Sequence, residues 1–165
     1  MLFNRHNKTI DSLQQTIAEQ SRLLEAIDRS MAVIEFDLQG NVLRANANFL
    51  QILGYREDQV TGQPHRLFCT PEYVRSSDYQ QLWNRLRSGQ FESGTFERVA
   101  SNGQSLWLEA SYNPIRDASG AVYKVVKYAL DVTARVQEEV EARNKLDAID
   151  PVSYTHLTLP TKRIV

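Results

Sequence analysis

The period of the apolar positions changes along this chain, and each change marks an element. Ile10, Leu13, Ile17, Leu24 and Ile27 keep a three-four spacing, with Gln20 in one seam position. That spacing predicts an amphipathic helix, suited to pair with a second helix or to cap the domain that follows. Ala32 to Asp37 and Val42 to Ala45 then read as β-rich runs joined by Leu38-Gln39-Gly40-Asn41, a hairpin signature. Asn46 or Asn48 caps a short helix carrying Phe49, Leu50, Ile52 and Leu53 and stopped by Gly54, and Arg56 to Val60 adds a helical turn ending at Gly62. Ser76 or Ser77 caps a longer helix with Tyr79, Leu82, Trp83 and Leu86, closed by Gly89. Three strands follow, Phe91 to Val99, Gln104 to Arg116 and Ala121 to Val132, separated by the turns Ser101-Asn102-Gly103 and Asp117-Ala118-Ser119-Gly120. A last helix from Ala134 to Asp150 carries Val136, Val140, Leu146 and Ile149. The expected class is α+β, with a five-stranded antiparallel sheet, short helices on one face and an amphipathic helix at each end.

Two further patterns divide the chain. Leu24-Glu25-Ala26-Ile27-Asp28 recurs as Leu146-Asp147-Ala148-Ile149-Asp150, which reads as the start of a second copy of the same module in a tandem array. Val152 to Thr161 resembles the in-frame translation of a sequencing adapter, so residues 151–165 are expected to be a non-native tail on a truncated piece. The expected organisation is a pairing helix over 1–30, a globular module over 31–133, and a linker helix over 134–150 leading into a cut-off second module.

Composition narrows the partners. The chain has 19 basic and 20 acidic residues. Lys162 and Arg163 belong to the tail, which leaves 17 against 20 and no basic stripe of the kind nucleic acid requires. His6 and His65 are the histidines outside the tail and Cys69 is the single cysteine, so a disulfide framework and a cysteine-rich zinc site are both excluded. No run approaches the roughly 18 apolar residues of a membrane span, and the start lacks a signal core; a cytoplasmic protein is expected. Phosphate-cradling glycine loops, nucleophile elbows and kinase signatures are missing, so no catalysis is expected.

Phe36-Asp37-Leu38-Gln39-Gly40-Asn41, Asn46 through Leu53-Gly54-Tyr55, Glu57 with Val60 and Gly62, Asn102-Gly103 and Asp131-Val132-Thr133 together resemble the PAS sensory domain from end to end. His65-Arg66-Leu67-Phe68-Cys69, the run Trp107 to Pro114, and Tyr123-Lys124-Val125-Val126-Lys127 resemble the forms found in tandem-PAS bacterial methyl-accepting chemotaxis receptors, soluble ones included. The resemblance implies a sensor whose signal leaves through paired helices to a signalling domain, with self-association through the flanking helices. An input domain of a histidine kinase or cyclic-dinucleotide enzyme, and a ligand-free dimerisation module, are the alternatives.

Candidate site residues follow from that resemblance. His65 lies where haem-binding PAS proteins often place the iron ligand, and imidazole suits iron; alternatively it is a partly exposed loop residue bonding to backbone. Cys69 is a further ligand or redox candidate, or a buried inert thiol. Asn48 and Phe68, on the helical wall, and Trp107, with Trp83, are candidates to line a cofactor pocket, or else ordinary packing positions. Haem, flavin (FAD) and no cofactor all remain open, although the asparagine-cysteine-arginine run of photoactive flavin domains is absent around Cys69. Asp131 and Thr133 are suited to tie the last strand to the last helix and so to relay a signal.

Overall fold

The computed structural model describes residues 2–149, with side chains from residue 5. The expected tail and the last residue of the repeat lie outside the described residues.

Helix α1 (Leu2–Ser30) leads into the hairpin β1 (Ala32–Phe36) and β2 (Val42–Ala45). The turn between them is held by the Asp37 carboxylate, which accepts the Gln39 and Asn41 amides at 3.0 and 2.8 Å. Gly40 closes it at φ +83°, with a Trp83 ring carbon 3.0 Å from where a Cβ would stand. A short helical wall follows: α2 (Ala47–Leu53), α3 (Glu57–Val60), a 3-10 turn (His65–Phe68), α4 (Pro71–Arg75) and α5 (Ser77–Arg87). Then come β3 (Glu92–Val99), β4 (Ser105–Arg116), β5 (Val122–Asp131) and α6 (Thr133–Ile149).

The strands form one antiparallel sheet in the order β2-β1-β5-β4-β3, so the hairpin joins the later strands through the β1–β5 pair. Strand alternation sorts the two faces. Ala32, Ile34 and Phe36, Leu106, Leu108, Ala110 and Tyr112, and Val125 and Ala129 point under the helical wall and form the core with Phe49, Leu53, Val60, Phe68, Leu82, Trp83 and Leu86.

Between the alternative caps, the structure uses Asn46 and Ser76. Asn46 Oδ1 accepts Phe49 N at 2.9 Å at the start of α2, and Ser76 Oγ accepts Tyr79 N at 3.3 Å at the start of α5. Asn46 also reaches backward: the same Oδ1 accepts Val33 N at 2.9 Å, while its Nδ2 donates to the carbonyls of Asp28 and Met31, both at 2.9 Å. One buried amide therefore ends α1, anchors β1 and starts α2. Two elements did not stand out in the sequence: the 3-10 turn, whose polar start reads as loop, and α4. The latter carries a signal in Thr70-Pro71, where Thr70 Oγ1 accepts Tyr73 N at 3.3 Å and Pro71 occupies the first turn.

Candidate functional site

His65 is not a loop residue in contact with water. It is 1% exposed, because the 3-10 turn directs its ring inward and His65 N donates to the Gly40 carbonyl at 2.7 Å. Phe36, Trp83, Tyr79 and Tyr112 surround the imidazole, with ring centroids 5.2 to 5.7 Å away. Nε2 stands 3.0 Å from Tyr112 Oη, and Nδ1 stands 3.4 Å from Tyr79 Oη.

The protons on this chain follow from what each group can give. Arg98 can only donate, and its Nη2 lies 3.0 Å from Tyr112 Oη. The tyrosine oxygen accepts that bond and passes its own proton toward His65 Nε2, which leaves the histidine proton on Nδ1, facing Tyr79. Burial, then the charges of Arg98 and Lys127, hold His65 well below the ordinary imidazole range, in keeping with a neutral ring. Burial also raises the phenols, Tyr79 to about 12.

These contacts bear directly on haem. An axial histidine needs one nitrogen aimed at space wide enough for a porphyrin. Both nitrogens of His65 are engaged and aromatic rings close the surroundings, so the residues present do not fit that group, and no metal-holding cluster of three or more His, Cys, Asp or Glu occurs among the described residues.

The remaining candidates are dispersed. Cys69 is 7% exposed, its Sγ 3.7 Å from His65 Nδ1 and 3.6 Å from the His65 carbonyl, and burial pushes its thiol up, which matches the inert reading rather than the ligand one. Phe68 packs edge-on against Phe49 and Tyr55 as a core residue. Asn48 faces away from the core, because its Nδ2 donates to the carbonyls of Asp28, Arg29 and Met31 at 3.0 to 3.1 Å and caps the end of α1. Trp107 alternates with Leu106 and Leu108 and so belongs to the sheet face opposite His65. The residues proposed as one cofactor site thus occupy three separate places.

Asp131 and Thr133 do come together. Asp131 Oδ1 accepts Thr133 N at 2.9 Å and Thr133 Oγ1 at 2.6 Å, and Trp107 N donates to Thr133 Oγ1 at 2.9 Å. Val132 N returns to the Trp107 carbonyl at 2.9 Å, so the first turn of α6 is stitched to β4, the neighbour of β5 in the sheet.

The sequence reading missed Arg98 and Lys127, which are 1% and 2% exposed on the inner face. The signal was available: on β3 and β5 they fall in the same alternation as Phe96, Val125 and Ala129.

A five-stranded antiparallel sheet closed on one face by short helices, with a buried polar chain under them and a helix at each end, defines an α+β module. The model described as the PAS fold matches residues 42–129, and the chain belongs to this family. It is 52% identical over 126 residues to the biofilm dispersion protein BdlA of Pseudomonas aeruginosa, covering 76% of this chain and 30% of that protein. Against the aerotaxis receptor of Escherichia coli it is 28% identical over 107 residues, covering 64% and 20%. The chain therefore spans less than a third of the relatives it matches. Among solved structures, the PAS domain of a protein from Colwellia psychrerythraea superposes with a TM-score of 0.63 at 20% identity, covering 70% of this chain and 98% of that one. An RNA-binding light-oxygen-voltage receptor gives 0.68 at 21% identity, covering 86% and 40%. Both likenesses establish the fold. No helix among the described residues is long and apolar enough to cross a membrane.

Proposed function

We propose that this chain is the sensory input module of a cytosolic, chemoreceptor-type bacterial protein, reporting the state of its core to a signalling domain through α6 and pairing with a second copy through its flanking helices. The observation that carries this reading is the stitch at Asp131 and Thr133. A strand that shifts by a fraction of an ångström must move the first turn of α6 with it, because Trp107 bonds to both Thr133 Oγ1 and Val132 N. The identity to a biofilm dispersion protein and an aerotaxis receptor supports a sensory role.

The test is a chimera in which residues 31–133 replace the matched stretch of the Pseudomonas aeruginosa protein, with biofilm dispersion as the readout. The chimera should support dispersion, and Asp131→Ala should abolish the response while circular dichroism shows an intact fold. Undiminished dispersion by a folded Asp131→Ala chimera would refute the relay.

A further inference from the structure

The inner face of the sheet holds an arginine and a lysine that meet no carboxylate among the described residues. Lys124 and Lys127 lie three residues apart on β5, yet Lys124 faces outward and pairs with Glu35 at 2.7 Å, whereas Lys127 faces the core and takes part in no ion pair among the described residues. Arg98, also buried, has no carboxylate partner among the described residues either. Its Nη1 donates to the Glu97 carbonyl at 2.6 Å and its Nη2 to Tyr112. Its Nε has no hydrogen-bond partner, nor does the buried hydroxyl of Tyr73. The guanidinium carbon lies 5.0 Å from the Phe96 ring centroid and 5.2 Å from that of Tyr73, and Lys127 Nζ lies 4.8 Å from that of Tyr112.

Leaving a buried cation unpaired is among the costliest arrangements a core can adopt, and both atoms without a partner, Arg98 Nε and Tyr73 Oη, can donate. A chain with Glu35 to offer Lys124 on the outer face offers nothing on the inner one. We propose that this cluster is the receptor site for a small carboxylic acid, whose carboxylate accepts from Arg98 Nε and Tyr73 Oη beside the Lys127 amine. Arg98 Nε and Tyr73 Oη offer two donors, one for each oxygen of a carboxylate, and no third for a tetrahedral anion. Arg98 and Lys127 are 1% and 2% exposed, so a compact acid reaches them only when part of the helical wall moves. Helix α4, which carries Tyr73, has five residues and none of them buried; it is the section of the wall that moves most cheaply. The inference deepens the sensory reading by naming the class of ligand, and Tyr112 then connects the bound acid to His65.

The test is thermal unfolding of the full chain in sodium acetate, succinate or sulfate against sodium chloride at equal ionic strength. Acetate or succinate should raise the melting temperature by about 5 °C or more over chloride at saturation. Arg98→Met and Lys127→Met should each raise the half-saturating concentration at least tenfold, while melting no lower than the parent in chloride, since the first removes an unpaired buried cation and the second an amine whose charge burial already disfavours. Equal melting of the parent in every salt would overturn the proposal, as would an effect of sulfate matching that of the carboxylates, or variants that keep the full response. Because only binding is read, a negative result leaves the Asp131 relay untouched, and a failed relay leaves a measured binding effect standing.

Discussion

The phenolic oxygen of Tyr112 stands 3.0 Å from Nε2 of His65, deep under the helical wall, and that single oxygen also accepts the Arg98 guanidinium. Tyr112→Phe keeps the ring and its packing but strands a cationic donor and an imidazole nitrogen together. The expected loss is about 2 to 4 kcal/mol of unfolding free energy, since buried polar groups left without partners pay their full desolvation cost. Urea unfolding should show a lower midpoint with an unchanged slope. In an Arg98→Met background the same substitution should cost much less, and equal costs in the two backgrounds would contradict the shared bond.

The same burial sets an acid dependence. His65 is held well below its ordinary value of 6.5 in the folded chain, chiefly by burial. As pH falls through that value the unfolded chain takes up a proton that the folded chain refuses, so the stability His65 confers is complete above it and is lost progressively below it. The slope approaches about 1.4 kcal/mol per pH unit for one such group. Carbon-13 shifts of the His65 ring should still report the neutral form at pH 5.5. A ring that titrates at or above 6.5 would contradict the closed arrangement.

Along α1, Ile17 and Leu24 are each 61% exposed, and Ile10 and Leu13 continue the same uncovered seam. Pairing with a second copy is the expected use of that seam. Sedimentation should show a dimer that dissociates when Ile17 and Leu24 are both replaced by Asn, with the melting of the sheet domain shifted by no more than a few degrees. A monomeric parent, or a dimer indifferent to both changes, would show that the seam serves another partner.

Much of this architecture was legible because hydrophobic period and turn chemistry agree. The alternation in Ala32–Phe36, the Asp37 to Gly40 turn and the strands after Gly89 each fix a local structure that the sheet merely assembles. Asp131 and Thr133 were legible for the same reason, since a strand-to-helix junction is a local event. The core site was not. Arg98 and Lys127 occupy positions whose neighbours in the alternation are apolar, but which cations converge on which rings depends on strand pairing far apart in sequence. Nothing local tells Tyr112 that Arg98 will lie beside it. For His65 the sequence leaves a haem ligand and a partly exposed loop residue both open, because Pro64-His65-Arg66 is polar, whereas its orientation is set by the Gly40 carbonyl and the ring of Trp83, both distant along the chain.

The β1–β5 pairing carries a mechanical consequence. Ala32, the first residue of β1 and the second after α1, lies opposite Ala129, two residues before the end of β5 and just ahead of α6. The chain therefore enters and leaves the sheet at one end of a single antiparallel ladder. Tension between α1 and α6 is applied across that ladder's end and opens it like a zipper, loading the hydrogen bonds one after another instead of all at once in shear. Such a junction yields to small forces. A helix pair that twists or separates can thus prise the sheet at Ala32, just where Asn46 binds the end of α1 to the first bond of α2.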